Sequence, residues 1–255
     1  MRSITVSENR PDTPDIQKVF KRKEKKYLMD RQMFEVLYAR LKEYMDEDRY
    51  GLSTVCSLYY DTKDHELIYK SIEKPEYKEK FRLRCYGVPK EDTPVFAEIK
   101  KKFRGIVYKR RVTAPYRDMM TFINRRVPLE GDLQIQREIQ FMLMKYRLKP
   151  QVFLAYDRYS LLGRGRESNL RITFDFNMRY RTYDLDLAKG DYGELIEDKD
   201  FYIMELKVDG GAPLWLVRLL NEYKIYPGTY SKYGVCYKKY ILPALLKEKS
   251  GSSEE

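Results

Sequence analysis

The chain has 255 residues with 50 Lys and Arg against 39 Asp and Glu, a formal charge of +11. That balance directs it toward anionic partners such as nucleotides, polyphosphate, nucleic acid or an acidic lipid surface. A single histidine, His65, and three scattered cysteines, Cys56, Cys85 and Cys236, leave no HExxH, CxxC or Ser-His-Asp pattern, which excludes zinc hydrolysis and triad catalysis.

The cysteines lie in apolar strand or helix patterns and read as reduced packing thiols of a cytosolic protein. No apolar run approaches the roughly 20 residues of a membrane span, and the N-terminal segment lacks a signal-peptide core. The expected location is cytoplasmic, with room for a peripheral position at the inner face of a membrane beside a membrane-protein partner.

Residues 1–15 and 248–255 read as disordered polar tails around one domain over 16–247, since no Pro/Gly/Ser-rich linker divides it. A first strand near 18–29 leads to Asp30, an N-cap, and then to a helix in which Met33, Phe34, Leu37, Tyr38, Leu41, Tyr44 and Met45 recur at helical spacing. A strand over 53–61 precedes a short helix holding Leu67 and Ile68, with Asp64 as its cap and His65, a structural residue, at its start. Strands near 78–87 and 94–102 are joined by the Pro89–Pro94 turn, and a strand near 106–113 follows a turn at Arg104-Gly105. Helices are expected near 116–125 and 132–148, then strands near 151–161, 170–181 and 200–208. Pro213 opens a helix over 213–224 that holds the only tryptophan, Trp215, and a last helix runs over 233–246 with a bend at Pro243. Without a βαβ rhythm or a Gly-rich phosphate loop, the class is α+β, with about eight mostly antiparallel strands.

Five of these stretches alternate apolar with charged residues. Arg82 and Arg84 interleave with Phe81, Leu83 and Cys85; Glu98 and Lys100 with Val95, Ala97 and Ile99; Arg171 and Asp175 with Leu170, Ile172, Phe174 and Phe176; Glu205 and Lys207 with Met204, Leu206 and Val208; and Arg22, Glu24 and Lys26 share one parity of the first strand. Successive strand side chains point to opposite faces, so two arrangements are open. Either the charged faces are solvated around a common apolar core, or the sheet closes into a barrel whose lumen is charged and whose apolar outside is covered by the amphipathic helices. The recurrence of one charge set on several strands favours the barrel.

Cations facing one another across a lumen repel by roughly 4 kcal/mol per close pair at an effective dielectric near 20, and a bound anion relieves this. The planar forks of Arg82, Arg84, Arg158 and Arg171 and the point charges of Lys26, Lys100, Lys109 and Lys232 suit a triphosphate. Glu24, Glu98 and Glu205 suit a hard cation bridging phosphate oxygens, Mg²⁺ or Mn²⁺. Glu98 has a second possible role, as the ion-pair partner that orients Lys100. Arg179 and Arg181, near a strand end, either draw polyanion to the mouth or are solvated. Nucleic acid is not expected as a partner, because the basic residues stand beside carboxylates instead of clustering with exposed stacking aromatics.

In its ordered blocks the chain resembles the VTC-type polyphosphate polymerases of the triphosphate tunnel metalloenzyme (CYTH-like) superfamily. The blocks are Glu24-Lys25-Lys26-Tyr27, Tyr59-Tyr60-Asp61-Thr62, Lys80 to Tyr86, Phe96 to Lys100, Tyr108-Lys109-Arg110-Arg111, Ala155-Tyr156-Asp157-Arg158, Leu170 to Asp175, Met204-Glu205-Leu206-Lys207 and Tyr230-Ser231-Lys232-Tyr233. The resemblance covers nearly all of 18–240 and implies a polar, basic tunnel. It also implies transfer of the γ-phosphate of ATP onto a growing polyphosphate chain, with an orthophosphate or pyrophosphate primer, release of ADP, and Mn²⁺ or Mg²⁺ as cofactor.

Under it, Arg82, Arg84, Lys100, Lys109, Arg158 and Arg171 would be catalytic. Lys26, Arg111, Tyr156, Lys207, Ser231 and Lys232 would bind substrate, with Lys232 near the tunnel end where the growing chain passes. Glu205, Glu24 and Glu98 would bind metal. Lys207 is equally readable as a solvated strand end, and Asp157 as a surface residue. The superfamily's ExExK signature is reduced here to Glu24-x-Lys26, with Arg22 at the first Glu position, a departure that suits a polymerase better than a hydrolase. Neither a helical regulatory domain before the barrel nor an oligomer is expected. The competing readings are a tunnel-type inorganic or nucleoside triphosphatase and a non-catalytic polyphosphate-binding module.

Overall fold

In a computed structural model of the chain the described residues are 23–251 apart from Tyr50 and Gly105, with side chains described over 24–247. Phe20 and Arg22 of the expected first strand, the turn residue Gly105 and the expected 1–15 tail lie outside them. Eight strands form one antiparallel ladder in the order β1 (Lys23–Asp30), β10 (Phe201–Val208), β8 (Arg171–Arg181), β7 (Lys149–Gly163), β3 (Ser53–Asp61), β4 (Tyr77–Tyr86), β5 (Pro94–Phe103), β6 (Ile106–Pro115). Two short strands, β2 (Met45–Glu47) on β7 and β9 (Glu194–Leu195) on β8, complete the α+β sheet.

Among the described residues the ladder is not hydrogen-bonded shut: it ends at β1 and β6. It is nevertheless curled. Lys100 on β5 lies in the fields of Glu24 and Lys26 on β1 and of Glu205 on β10, from the other limb of the ladder. The free edge of β1 is covered by the chain around Gly228, whose N–H donates to the Lys26 carbonyl at 2.7 Å.

The apolar parities pack outward beneath helices. α3 (Tyr116–Arg125) and α4 (Leu133–Lys145) press Met119, Phe122, Ile139 and Met142 onto Phe81, Leu83, Val95, Ala97 and Ile99. α1 (Arg31–Lys42) and α5 (Leu214–Glu222) set Phe34, Leu37, Leu41, Leu216 and Leu219 against Ile172, Phe174, Met204 and Leu206. Burial of each such side chain contributes about 1.5–3 kcal/mol, which is why the charged parity is left facing inward. Asp30 caps α1, accepting from Met33 N–H at 2.8 Å. Pro213 stands just before α5 rather than in its first turn.

A third apolar cluster departs from the expectation that helices cover only the outside. α6 (Lys232–Cys236), a wide π-type turn over Tyr237–Ile241 and α7 (Leu242–Gly251) follow the last loop. Tyr233, Cys236, Tyr237 and Ile241 pack on Val55, Tyr59, Val152, Leu154, Tyr156 and Ile203, the concave parity of the sheet. The C-terminal helices therefore fill part of the lumen. The break in this segment is the wide turn before Pro243, and α7 continues as helix through Gly251 rather than becoming a tail at 248.

Two further expectations are corrected. The short helix α2 (Glu66–Ile72) is not capped by Asp64: Asp61 accepts from the N–H groups of Leu67 (2.9 Å) and Ile68 (3.0 Å), and Thr62 Oγ1 from Glu66 (2.9 Å), while His65 takes a left-handed conformation at the cap. Arg179 and Arg181 neither line the mouth nor meet solvent. Asn177 has φ 49° at a register shift between β7 and β8, a bulge that flips the strand's parity. Arg181 is thereby turned to the outer side, 1% exposed, with its guanidinium 3.6 Å from the Phe153 centroid and donating to the carbonyls of Asp184, Asp186, Gly190 and Tyr192. Arg179 and Asp157 pair with each other, the latter also holding Thr54 and Asn177. Cys56 and Cys85 are cross-strand neighbours and, with Cys236, free buried thiols. Among the described residues no helix is long and apolar enough to cross a membrane.

Candidate active site

The lumen's charge is organised around two ionised carboxylate centres. On β4, β5 and β6, Glu98 is the hub. Arg82 donates through Nε and Nη2 to Oε2 at 2.9 and 2.7 Å, Lys109 Nζ lies 2.6 Å from Oε1, and Arg84 Nη1 is at 4.0 Å. Burial pushes the Glu98 carboxyl up, but Arg82, Arg84 and Lys109 outweigh it and hold it well below the usual carboxylate range. Both Glu98 oxygens are thus engaged by Arg82 and Lys109; it orients those cations rather than Lys100.

The second centre joins β7, β8, β10 and α6. Asp175, fully buried, accepts from Arg158 Nε (2.5 Å) and Nη2 (2.8 Å) and from Lys232 Nζ (2.5 Å). Glu205 lies 3.0 Å from Lys207, 3.5 Å from Lys26, 3.6 Å from Arg158 and 3.8 Å from Lys232. Burial opposes ionisation of both acids, yet these cations keep both pKa values lowered. Glu24 joins through Lys26, at 3.7 Å, and Lys26 also donates to the Tyr230 carbonyl at 2.8 Å.

Tyr156 bridges the two centres. Its hydroxyl accepts from Arg84 Nη2 at 3.2 Å, and its ring lies 4.4 Å from Lys232 Nζ and 5.3 Å from the Arg158 guanidinium. Arg84 is further held by Ser57 Oγ at 3.3 Å, and Arg82 by the Tyr59 hydroxyl at 2.9 Å.

The predicted residues thus converge, with exceptions. Lys232 is not at an end: α6 delivers it between Asp175 and Tyr156, almost entirely buried. Ser231 caps α6, donated to by Gly234 N–H at 3.3 Å. Arg171 stands aside with Asp48 and Ser160, both at 3.1 Å. Arg111 is exposed, above the Phe96 ring.

Sequence reasoning missed Asp175, Tyr59 and Lys80 as site residues. The parity of Asp175 with Arg171 and of Lys80 with Arg82 was visible; their partners, 17 to 57 positions away for Asp175, were not.

Lys80 and Lys100 are directly paired across β4 and β5. Among the described residues neither has an ion-pair partner, so two like charges face each other, which is destabilising in a sheet. Burial, reinforced by Lys78, Lys100 and Arg82 against a helping Tyr59, brings the Lys80 ammonium down to about 8, and burial also lowers Lys100. Burial would raise the Tyr59 phenol, but Arg82, Arg84 and Lys80 together bring it down to about 8. A bound polyanion favours the Lys80 ammonium and disfavours the Tyr59 phenolate, so binding near pH 8 takes up protons. Titration calorimetry of inorganic tripolyphosphate in two buffers of different ionisation heat should show uptake on the order of one proton per ligand, fading by pH 6. Proton uptake unchanged in a Lys80→Met, Tyr59→Phe variant would remove Lys80 and Tyr59 from the binding surface.

Among the described residues no group of three or more His, Cys, Asp or Glu gathers as a ready-made metal cage. Hard cations such as Mg²⁺ are commonly held by one or two carboxylates together with substrate phosphates and water. Glu205 and Asp175, ionised and sharing Arg158 and Lys232, with Glu24 beyond Lys26, match that donor set; Glu98 belongs to the other centre, with Arg82 and Lys109.

The family model described as the VTC domain matches residues 21–241. No curated protein sequence matches the chain significantly. Among solved structures, a candidate adenylate cyclase from Bacillus halodurans is 13% identical with a TM-score of 0.50, the match covering 82% of this chain and 92% of that one, and shares the fold. A candidate adenylyl cyclase from Hippeastrum, described as having a dominant triphosphatase activity, is 14% identical with a TM-score of 0.45, over 83% of this chain and 93% of that one. With the family model spanning all the strands and both carboxylate centres, the chain belongs to the VTC domain family.

Proposed function

We propose that the protein is a polyphosphate polymerase that moves the γ-phosphate of ATP onto a polyphosphate end and releases ADP, starting from orthophosphate or pyrophosphate. The observation that carries this is the cross-strand pair Lys80 and Lys100, neither in a direct ion pair among the described residues, between two centres of bound cations, a lumen suited to successive phosphates. Family membership supports the same substrate class.

Phosphoryl transfer asks chiefly for positioning and charge neutralisation. Arg82 and Arg84, locked by Glu98, Tyr59, Ser57 and Tyr156, hold the triphosphate at fixed geometry, and Lys100, Lys109 and Lys80 neutralise charge on the transferred group. Glu205 and Asp175 offer carboxylates for Mg²⁺ or Mn²⁺, which when bound neutralises phosphate oxygens. Arg158 and Lys232 keep those acids ionised and oriented.

One feature favours transfer over hydrolysis. Asp175, Glu205 and Glu98 are each held ionised by several cations and are poor bases for activating water, whereas a phosphate chain end is already anionic and needs no base.

Purified protein incubated with ATP and Mn²⁺ or Mg²⁺ should yield ADP and, on a gel, phosphate chains longer than the substrate's. Orthophosphate alone would instead establish a tunnel triphosphatase, and tight polyphosphate binding without turnover in either metal a non-catalytic module.

A further inference from the structure

Along β5 the lumen-facing positions Lys100 and Glu98 are followed by an aromatic ring, Phe96, paired across the strands with Arg84 on one side and Thr113 on the other. Both rings stand near strand ends, Tyr86 as the last residue of β4 and Phe96 as the third of β5. Phe96 is half-buried and is not a member of any of the three apolar clusters among the described residues; its neighbours Val95 and Ala97 supply the outer core. Tyr86 packs against it in a T-shaped contact, with centroids 6.1 Å apart at 85°, and is itself 50% exposed. The Arg111 guanidinium lies 5.1 Å from the Phe96 centroid. An accessible ring at a polar mouth, flanked by two arginines one of which already reaches into the lumen, is the arrangement that receives a flat, electron-rich ring joined to phosphate.

We propose that Phe96, Tyr86 and Arg111 form the nucleobase platform for the donor nucleotide, an inference that rests on the nucleotide-dependent reading above and adds to it which end of the substrate lies where. The base stacks on Phe96 with Tyr86 at its edge, and Arg84 and Arg111 take the phosphates nearest the ribose. The γ-phosphate then points inward to Arg82, Lys109 and Lys100. Strand geometry supports this order, since Glu98 and its pair Arg82 stand two residues, about 6.6 Å, along the same face from Phe96, with Lys100 and its pair Lys109 two residues further. Stacking reads a π-face rather than a hydrogen-bonding edge, so ATP and GTP should bind alike.

The test compares ATP with inorganic tripolyphosphate, which has the charge but no base, on the full chain by calorimetry. Phe96→Ala should weaken ATP and GTP about tenfold while leaving tripolyphosphate within about twofold, and Phe96→Trp should restore nucleotide affinity. Equal weakening of both ligands would mean that Phe96 only props Arg84 and Arg111, and no weakening of either would mean that the base lies elsewhere; both outcomes overturn the platform while leaving the lumen reading intact. If the wild-type protein binds neither ligand, the lumen reading itself fails.

Discussion

Glu205→Gln should lower phosphoryl transfer from ATP by at least about a hundredfold at saturating nucleotide while the protein remains folded, because several kcal/mol of charge stabilisation at phosphate depend on a carboxylate the amide cannot replace. The side chain is nearly isosteric. The cations that now surround Glu205, namely Lys26, Lys207, Arg158 and Lys232, stay partly neutralised because Asp175 retains its own contacts to Arg158 and Lys232. The measurement is the initial rate of ADP release across a Mg²⁺ and Mn²⁺ series, with a melting curve beside it. Wild-type rates in the variant at saturating metal would take Glu205 out of the chemistry, and would leave Asp175 as the acid to replace next.

The largest stability effect is expected far from the lumen. Arg181→Ala removes the donor to four backbone carbonyls in the 184–192 loop and the filling between the Phe153 and Tyr192 rings, at 3.6 and 4.4 Å. Each buried acceptor left unsatisfied costs about 1–3 kcal/mol, so a net loss of at least about 3 kcal/mol and a melting temperature lower by roughly 6–12 °C should result. Lys, with a compact ammonium in place of the planar fork, should recover only part of it. A melting temperature within about 2 °C of wild type would show that the loop finds other donors.

Much of this was legible from alternation. The parity of Arg82, Arg84, Glu98, Lys100, Glu205 and Lys207 follows from apolar neighbours that demand the outer face, and the antiparallel ladder follows from short turns. Three things were not legible, for separate reasons. A single extra residue at Asn177 reverses the parity of β8, so reading Arg171 through Arg181 as one phase misplaced Arg179 and Arg181. Curvature is a property of the sheet rather than of any strand, so that Lys100 faces Glu24 could not be read from either segment. The C-terminal helices satisfy apolar concave positions whose strand patterns, Val152, Leu154 and Tyr156, look the same whether they face a plug or an outer layer. Lys232 was therefore assigned to an end when its helix carries it into the centre.

That placement bears on biosynthesis. Asp175 and Glu205 are made before Lys232, Asp175 by 57 positions, and acquire it only after the last loop, and Tyr233 ties α6 back to Asp61, 172 positions upstream, at 3.1 Å. A nascent chain on the ribosome can pair β3 through β8 as they emerge, but it carries two buried acids short of a cation until residue 232 is free of the exit tunnel. The phosphate binding proposed above would then arrive in one late step, and a partly made chain would lack the finished cavity.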